Sequence, residues 1–199
     1  MKKISPFKIK IVSLQAFVKR QKMKAIVKLY RHRAISKFLR RKKACILPDM
    51  YKYPAVAILL DKNQFEHRKE IELALSNLFE LKRYTFIVYT ETLPKDVMQT
   101  DRYFFITKSD FDFWGRIRQN KKESILCMSF DLVIDFTKND DDILTNKYIL
   151  TLINNSFRMT FGNTSSKMYD MVIDSKKEDD MLKQIEILQA YLSMLLGKR

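Results

Sequence analysis

The sequence predicts an α/β protein: a three-layer domain built on a mostly parallel sheet, preceded by a long basic N-terminal helix. Three observations carry this. Residues 1–48 contain 16 Lys and Arg and no Asp or Glu, whereas residues 49–199 hold the other 22 basic residues and all 23 acids. The whole formal charge of +15 therefore belongs to the first quarter of the chain, and the remainder carries −1. Beyond Pro48, apolar runs rich in β-branched residues alternate with amphipathic stretches, the pattern of a parallel sheet covered by helices on both faces. The expected organisation is a basic amphipathic arm, residues 1–48, and an α/β domain, residues 49–199.

The arm has neither proline nor glycine between Pro6 and Pro48, so nothing interrupts a helix there. At about 100° per residue, Met23, Ile26, Val27, Tyr30, Ala34 and Phe38 share about a third of the circumference. Most cations lie outside that stripe, with Lys37 and Arg41 intruding, and the helix is expected over residues 11–43.

In the domain, Pro54–Asp61 is a continuous apolar run that reads as a buried strand. Asn63 stands three residues before Glu66, close to a capping box, and a helix over 64–82 follows with Ile71, Ala74, Leu75, Leu78 and Phe79 on one face. Tyr84–Thr90 alternates and is the next strand, which makes a βαβ unit with a right-handed crossover. Phe104–Thr107 is a short strand, with Ser109 or Asp110 capping a turn before Trp114, and Arg116–Glu123 is a polar connection. Phe130–Phe136 is a second buried strand. Asp140–Asp142 favour a helix N-terminus running to about Asn155. Arg158–Phe161 and Asp170–Asp174 are short strands, and Met181, Leu182, Ile185, Leu188, Leu192 and Leu195 keep a helical period up to a C-cap at Gly197. The alternation is Rossmann-like.

Composition removes much chemistry. Three glycines, Gly115, Gly162 and Gly197, are too far apart for a glycine-rich phosphate loop. His32 and His67 are too few for a multi-histidine metal site, and Cys45 and Cys127 suit a reducing compartment. His67 reads as a surface residue and Cys127, adjoining a strand, as buried. Three predicted strands end in Asp61, Asp135 and Asp174. Carboxylates at the carboxyl ends of parallel strands hold Mg²⁺ together with phosphate oxygens in some sites, but Asp also ends strands by hydrogen-bonding the turn. The aromatic run from Arg102 to Trp114, interleaved with Arg102, Lys108, Arg116 and Arg118, suits either core packing or stacking on unpaired bases. The similar strings Phe130–Asp135 and Tyr169–Asp174 read as two strands with the same job.

Several segments together resemble an uncharacterised family of Bacteroidota proteins over most of residues 54–199. They are Leu60–Phe65, Lys108–Ile117, Phe130–Asp135, Asn154–Gly162 and Tyr169–Asp174. Where such relatives tend to carry Ser-Lys-Ala-Lys-Phe-Lys-Val-Gly, this chain has Asn154–Phe161 with the single cation Arg158. The resemblance implies a cytoplasmic bacterial protein and offers no catalytic residues, cofactor or metal.

Partners follow from the arm. Cations without acids are what a phosphate backbone rewards, through counterion release. The leading expectation is a non-enzymatic RNA-binding protein, ribosome-associated, contacting phosphates of RNA (ribosomal RNA in the first instance) with Lys19, Arg20, Arg31, Arg33, Arg40, Arg41, Lys42 and Lys43. Alternatives are an anionic membrane surface held by the same helix, an organellar targeting segment, a helix merely docked on its own domain, and a Mg²⁺-dependent phosphate-handling enzyme using the three aspartates.

Overall fold

A computed structural model describes residues 6–42, 55–78, 83–94, 100–137, 143–162, 167–174 and 181–195. Six strands form one sheet: β1 (Val56–Asp61), β2 (Tyr84–Thr90), β3 (Tyr103–Thr107), β4 (Ser129–Asp135), β5 (Asn154–Phe161) and β6 (Met171–Ile173). Every neighbouring pair is parallel and the order is β3-β2-β1-β4-β5-β6. This is the order of doubly wound dinucleotide-binding sheets. Among the described residues five α-helices accompany it: α1 (Pro6–Arg41), α2 (Arg68–Leu78), α3 (Gln119–Leu126), α4 (Ile143–Leu150) and α5 (Met181–Leu195).

The pleat sorts the core into two layers. Val56, Ile58 and Leu60 of β1 pack with Ile71 and Leu75 of α2 and with Ile185, Leu188 and Leu192 of α5. Ala57 and Leu59 point the other way, toward Ile125 of α3, Tyr148 and Ile149 of α4, and Ile35 of α1. Period-two alternation in strands buried on both faces produces this three-layer arrangement.

Most expected elements are present, with informative shifts. Asn63 makes no side-chain cap; Gln64–His67 form a 3-10 turn before α2 begins. Thr107, rather than Ser109 or Asp110, caps the turn after β3, exchanging bonds with the Asp110 carboxylate (2.6 Å from the backbone N–H, 2.9 Å from the hydroxyl). The stretch Arg116–Glu123 is not simply a connection. It runs into α3, a helix anchored by one buried side chain, Ile125, and therefore without a readable hydrophobic period. Cys127 closes that helix and is exposed, not buried. The helix expected to reach Asn155 ends at Leu150, because Thr151–Ile153 fold back on it, and β5 starts at Asn154. Asp140–Asp142, Phe79 and Gly197 lie outside the described residues.

The two similar strings have the same job in detail. Asp131 gives its N–H to the carbonyl of Ala55 and takes the N–H of Ala55 on its carboxylate (2.9 and 2.8 Å). Asp170 treats Arg158 in the same way (2.9 and 2.9 Å). Each aspartate clamps the neighbouring parallel strand one residue ahead of a register pair, Val56 opposite Leu132 at the start of β1 and Met159 opposite Met171 where β6 joins the middle of β5.

Helix α1 docks on the second layer rather than standing free. Tyr30, Ala34 and Leu39 pack against that core and Ile35 is 9% exposed within it, while Ile26 is 39% exposed. The docked stripe is thus rotated from the expected one, which moves Lys37 and Arg41 out to solvent. Tyr30 meets Tyr148 of α4 edge-on at 5.8 Å, and Gly115 sits against Val27. Gly115 has φ +77°, and a Cβ there would lie 2.5 Å from a Val27 methyl. Gly115→Ala is expected to destabilise the fold by about 1–3 kcal/mol from the left-handed backbone alone. Adding Val27→Ala should relieve the contact but not that penalty, so urea midpoints of the double variant above Gly115→Ala yet below Val27→Ala are the result to look for.

Candidate functional site

In this topology the place to look first is the crevice at the carboxyl ends of β1 and β4, where the strand order reverses. Its floor is set by Asp61 and Asp135. The Asp61 N–H donates to Gln64 Oε1 and the Gln64 N–H to Asp61 Oδ1, both at 3.0 Å, while the Gln64 amide donates across to the carbonyl of Phe136. Gln64 is buried, so a side chain bridges the switch point where a phosphate-binding loop would leave backbone N–H groups open.

Asp135 is also engaged. The Thr137 N–H and hydroxyl donate to one of its oxygens (2.9 and 2.6 Å), and the Tyr169 hydroxyl donates to the other at 2.5 Å. Burial pushes the Asp135 carboxyl above its ordinary range, against the lowering effect of those hydrogen bonds. Burial, then the adjacent carboxylate, push the Tyr169 phenol up as well. Asp174 lies past the edge strand β6 and is exposed. The three strand-ending aspartates therefore do not converge, and among the described residues no three His, Cys, Asp or Glu side chains are grouped to hold a metal ion.

A second concavity of about 480 Å³ opens at the opposite, amino-terminal ends of the strands, between Arg83, Tyr84, Asp101, Arg102 and Ser129. Its chemistry is largely spent internally. The Arg102 guanidinium lies 5.1 Å over the Tyr84 ring and 3.6 Å from Glu72, and the Tyr84 hydroxyl donates to Glu72. Burial and that hydrogen bond push the Tyr84 phenol up to about 12.

The basic residues of α1 divide into two sets. Arg31 turns inward, donating to the Thr145 hydroxyl and lying 5.0 Å over the Phe111 ring. Lys42 also turns inward, 2.5 Å from Asp170 and bonded to the carbonyls of Lys167 and Met168 (3.3 and 3.2 Å). Lys19, Arg20, Arg33, Arg40 and Arg41 are exposed, as are Lys22, Lys24, Lys28 and Lys37; Lys43 lies outside the described residues. On a helical projection, Lys19, Lys22, Arg33, Lys37 and Arg40 share an arc of about 60° opposite the docked stripe. Along the axis they span about 30 Å. Among the described residues none of these five forms an ion pair. Arg158, the lone cation of its strand, is buried beneath the Phe38 ring at 4.2 Å and bonded to Asn155 and the Ile153 carbonyl, so it serves docking of α1.

The aromatic run divides in the same manner. Phe104 and Phe105 are core, and Phe111 meets Tyr89 edge-on at 5.9 Å. Phe113 and Trp114 are 63% and 49% exposed, at the tip of a turn. Residue spacing could not separate them from their buried neighbours; the signal was the Asp112 and Gly115 that bracket them.

The Asp135 environment makes a pH-dependent prediction. A carboxyl raised from 3.8 by burial holds its proton in the folded state where the unfolded chain has lost it. Its contribution to stability is then present below the unfolded value and lost as pH rises through the folded one. Asp135→Asn should abolish that decline. The urea midpoint of the wild type is expected to fall relative to the variant as pH rises above about 4; parallel profiles would show that Asp135 does not titrate there.

No helix among the described residues is long and apolar enough to cross a membrane. Comparison with curated proteins and with solved structures returns no match. One family model does match, over residues 22–195, taking in the docked part of α1 together with the whole sheet and ending with α5. With nearly the full length matched, the chain belongs to a family of unknown function, DUF6913.

Proposed function

We propose that this protein is a non-enzymatic, cytoplasmic RNA-binding protein, associated with ribosomal RNA, and that the outward face of α1 is its interface. One observation carries the reading: docking uses up two cations, Arg31 and Lys42, and leaves Lys19, Lys22, Arg33, Lys37 and Arg40 in one acid-free, solvent-facing row. A row held on a helix about 30 Å long has its spacing set in advance, so little backbone order remains to be imposed when phosphates bind. The acid-free composition of residues 1–48 supports it further, because a merely solvated face tolerates Asp and Glu whereas a phosphate-facing one is weakened by them. Among the described residues, neither the carboxyl-end crevice nor the amino-end concavity brings together a comparable set of exposed cations.

Five phosphate contacts, one for each cation of the row, give a slope of log affinity against log salt of about −3.5 to −4.5. Replacing Arg33, Lys37 and Arg40 together by Gln should reduce that slope by about 2–3 in magnitude and weaken binding at low salt. All three are exposed, so the unfolding free energy from urea titration should stay within about 0.5 kcal/mol of wild type. Filter binding of a structured ribosomal RNA fragment across a salt series measures this. A flat salt dependence in the wild type, or unchanged affinity in the triple variant, overturns the interface.

A further inference from the structure

The turn at residues 111–117 is built with more care than a loop tip requires. Phe111 and Ile117 form an antiparallel bridge at its base. One Asp112 oxygen accepts the N–H groups of Trp114 and Arg116, each at 2.9 Å, and the other takes the Arg116 guanidinium at 2.7 Å. The Gly115 N–H closes onto the Asp112 carbonyl at 2.9 Å. Gly115 then presses on Val27, fixing the turn against α1. Burial alone would raise the Asp112 carboxyl, but the hydrogen bonds from Arg116 and Trp114 outweigh it and hold it below its ordinary range.

The product of this bracing is a pair of aromatic rings in solvent. Phe113 and Trp114 stand edge to face at 5.6 Å. Their surroundings are cationic. Val27 is the turn's seat on α1, and on the same side of that helix Lys24 and Arg20 follow one and two turns toward the amino end, both exposed. The two acids of the segment are both engaged within it, Asp110 by Thr107 and Asp112 by Arg116 and the Trp114 N–H. An aromatic face next to cations, with the nearby carboxylates already hydrogen-bonded within the turn, complements a nucleobase attached to a phosphate backbone. Duplex RNA offers no free base faces, so the complement is an unpaired base.

We infer that Trp114, with Phe113 beside it, is a stacking platform for an unpaired base of the RNA whose phosphates run along α1, which gives the protein a preference for looped or single-stranded regions. The inference rests on the RNA-binding reading and deepens it.

Trp114 is the only tryptophan in the chain, so its emission reports the platform directly. Full-length protein is titrated at low salt with a single-stranded oligouridine and with a blunt RNA duplex of equal length. Oligouridine should quench Trp114 saturably, while the duplex binds without quenching. Trp114→Ala should lower oligouridine affinity by roughly 5- to 150-fold, leaving duplex affinity and the urea midpoint unchanged, and Trp114→Phe should restore most of the loss. If both RNAs bind equally, emission is unaltered and Trp114→Ala is neutral, the platform is wrong and the α1 interface stands. If neither RNA binds, both readings fail. If phosphatidylglycerol vesicles shift Trp114 emission to the blue while oligouridine leaves it unchanged, the pair enters a lipid interface and the platform is overturned.

Discussion

A wholly parallel sheet has no solvent face. Each of the six strands must be covered on both sides, and the coverage available fixes much else in this molecule. On one side α2 and α5 suffice. On the other, α3 brings one buried side chain and α4 spans only eight residues. The apolar surface of Leu59, Ile87 and Val133 on that side would remain partly wet without Ile35, Tyr30, Ala34 and Leu39. Docking of α1 is therefore a requirement of the sheet, and burial of Ile35 alone is worth about 1.5–3 kcal/mol.

That requirement determines the electrostatics. A helix with cations all around cannot bury a face without bringing some of them along. Here they are accommodated by chemistry suited to each. Arg31, whose planar guanidinium stacks on rings, takes Phe111 and a threonine hydroxyl. Lys42, a compact charge, takes Asp170 and two carbonyls. Arg158 answers from the sheet by lying beneath Phe38. Asp170 thus works twice, clamping β5 to β6 and receiving Lys42, so the end of α1 is tied to the same residue that sets the register of the edge strand. The charges left outside are the ones the docked stripe does not reach. A free row therefore arises as the complement of a packed one.

The sheet was legible because its strands are long apolar runs bounded by turn residues, and the βαβ beginning was enough to imply parallel pairing. What escaped was decided between distant residues. Ile26 and Ile35 both fit a helical stripe; Tyr148 meeting Tyr30 and Phe111 lying under Arg31, partners more than a hundred and about eighty residues along, go with the face that buries Ile35. Helix α3 carries no hydrophobic period because it needs only Ile125. Gln64 looked like an ordinary helix-start residue, and its bond to the Phe136 carbonyl spans 72 positions. The exposed cations were readable as a set, but which of them docking would consume was not: the partners of Arg31 and Lys42 lie 114 and 125 residues along the chain. The shared task of Asp131 and Asp170 could be guessed from their matching strings, though not the clamp itself.

The same strand order serves dinucleotide binding elsewhere because glycines after β1 leave N–H groups and space for a pyrophosphate. Here β1 ends at Asp61 and Lys62-Asn63-Gln64 follow, and Gln64 itself supplies the bonds a ligand would make, to Asp61 on one strand and Phe136 beyond the other. Opening that crevice would unpair a buried amide and a buried carboxylate together, each unsatisfied group costing about 1–3 kcal/mol or more. A closed switch point and a half-exposed aromatic turn are two sides of one allocation. Among the described residues, the switch point between β1 and β4 is bridged by Gln64, and the exposed cations and aromatic rings lie on what was added to the sheet: a helix placed ahead of β1, and the turn after β3 that Val27 holds against it.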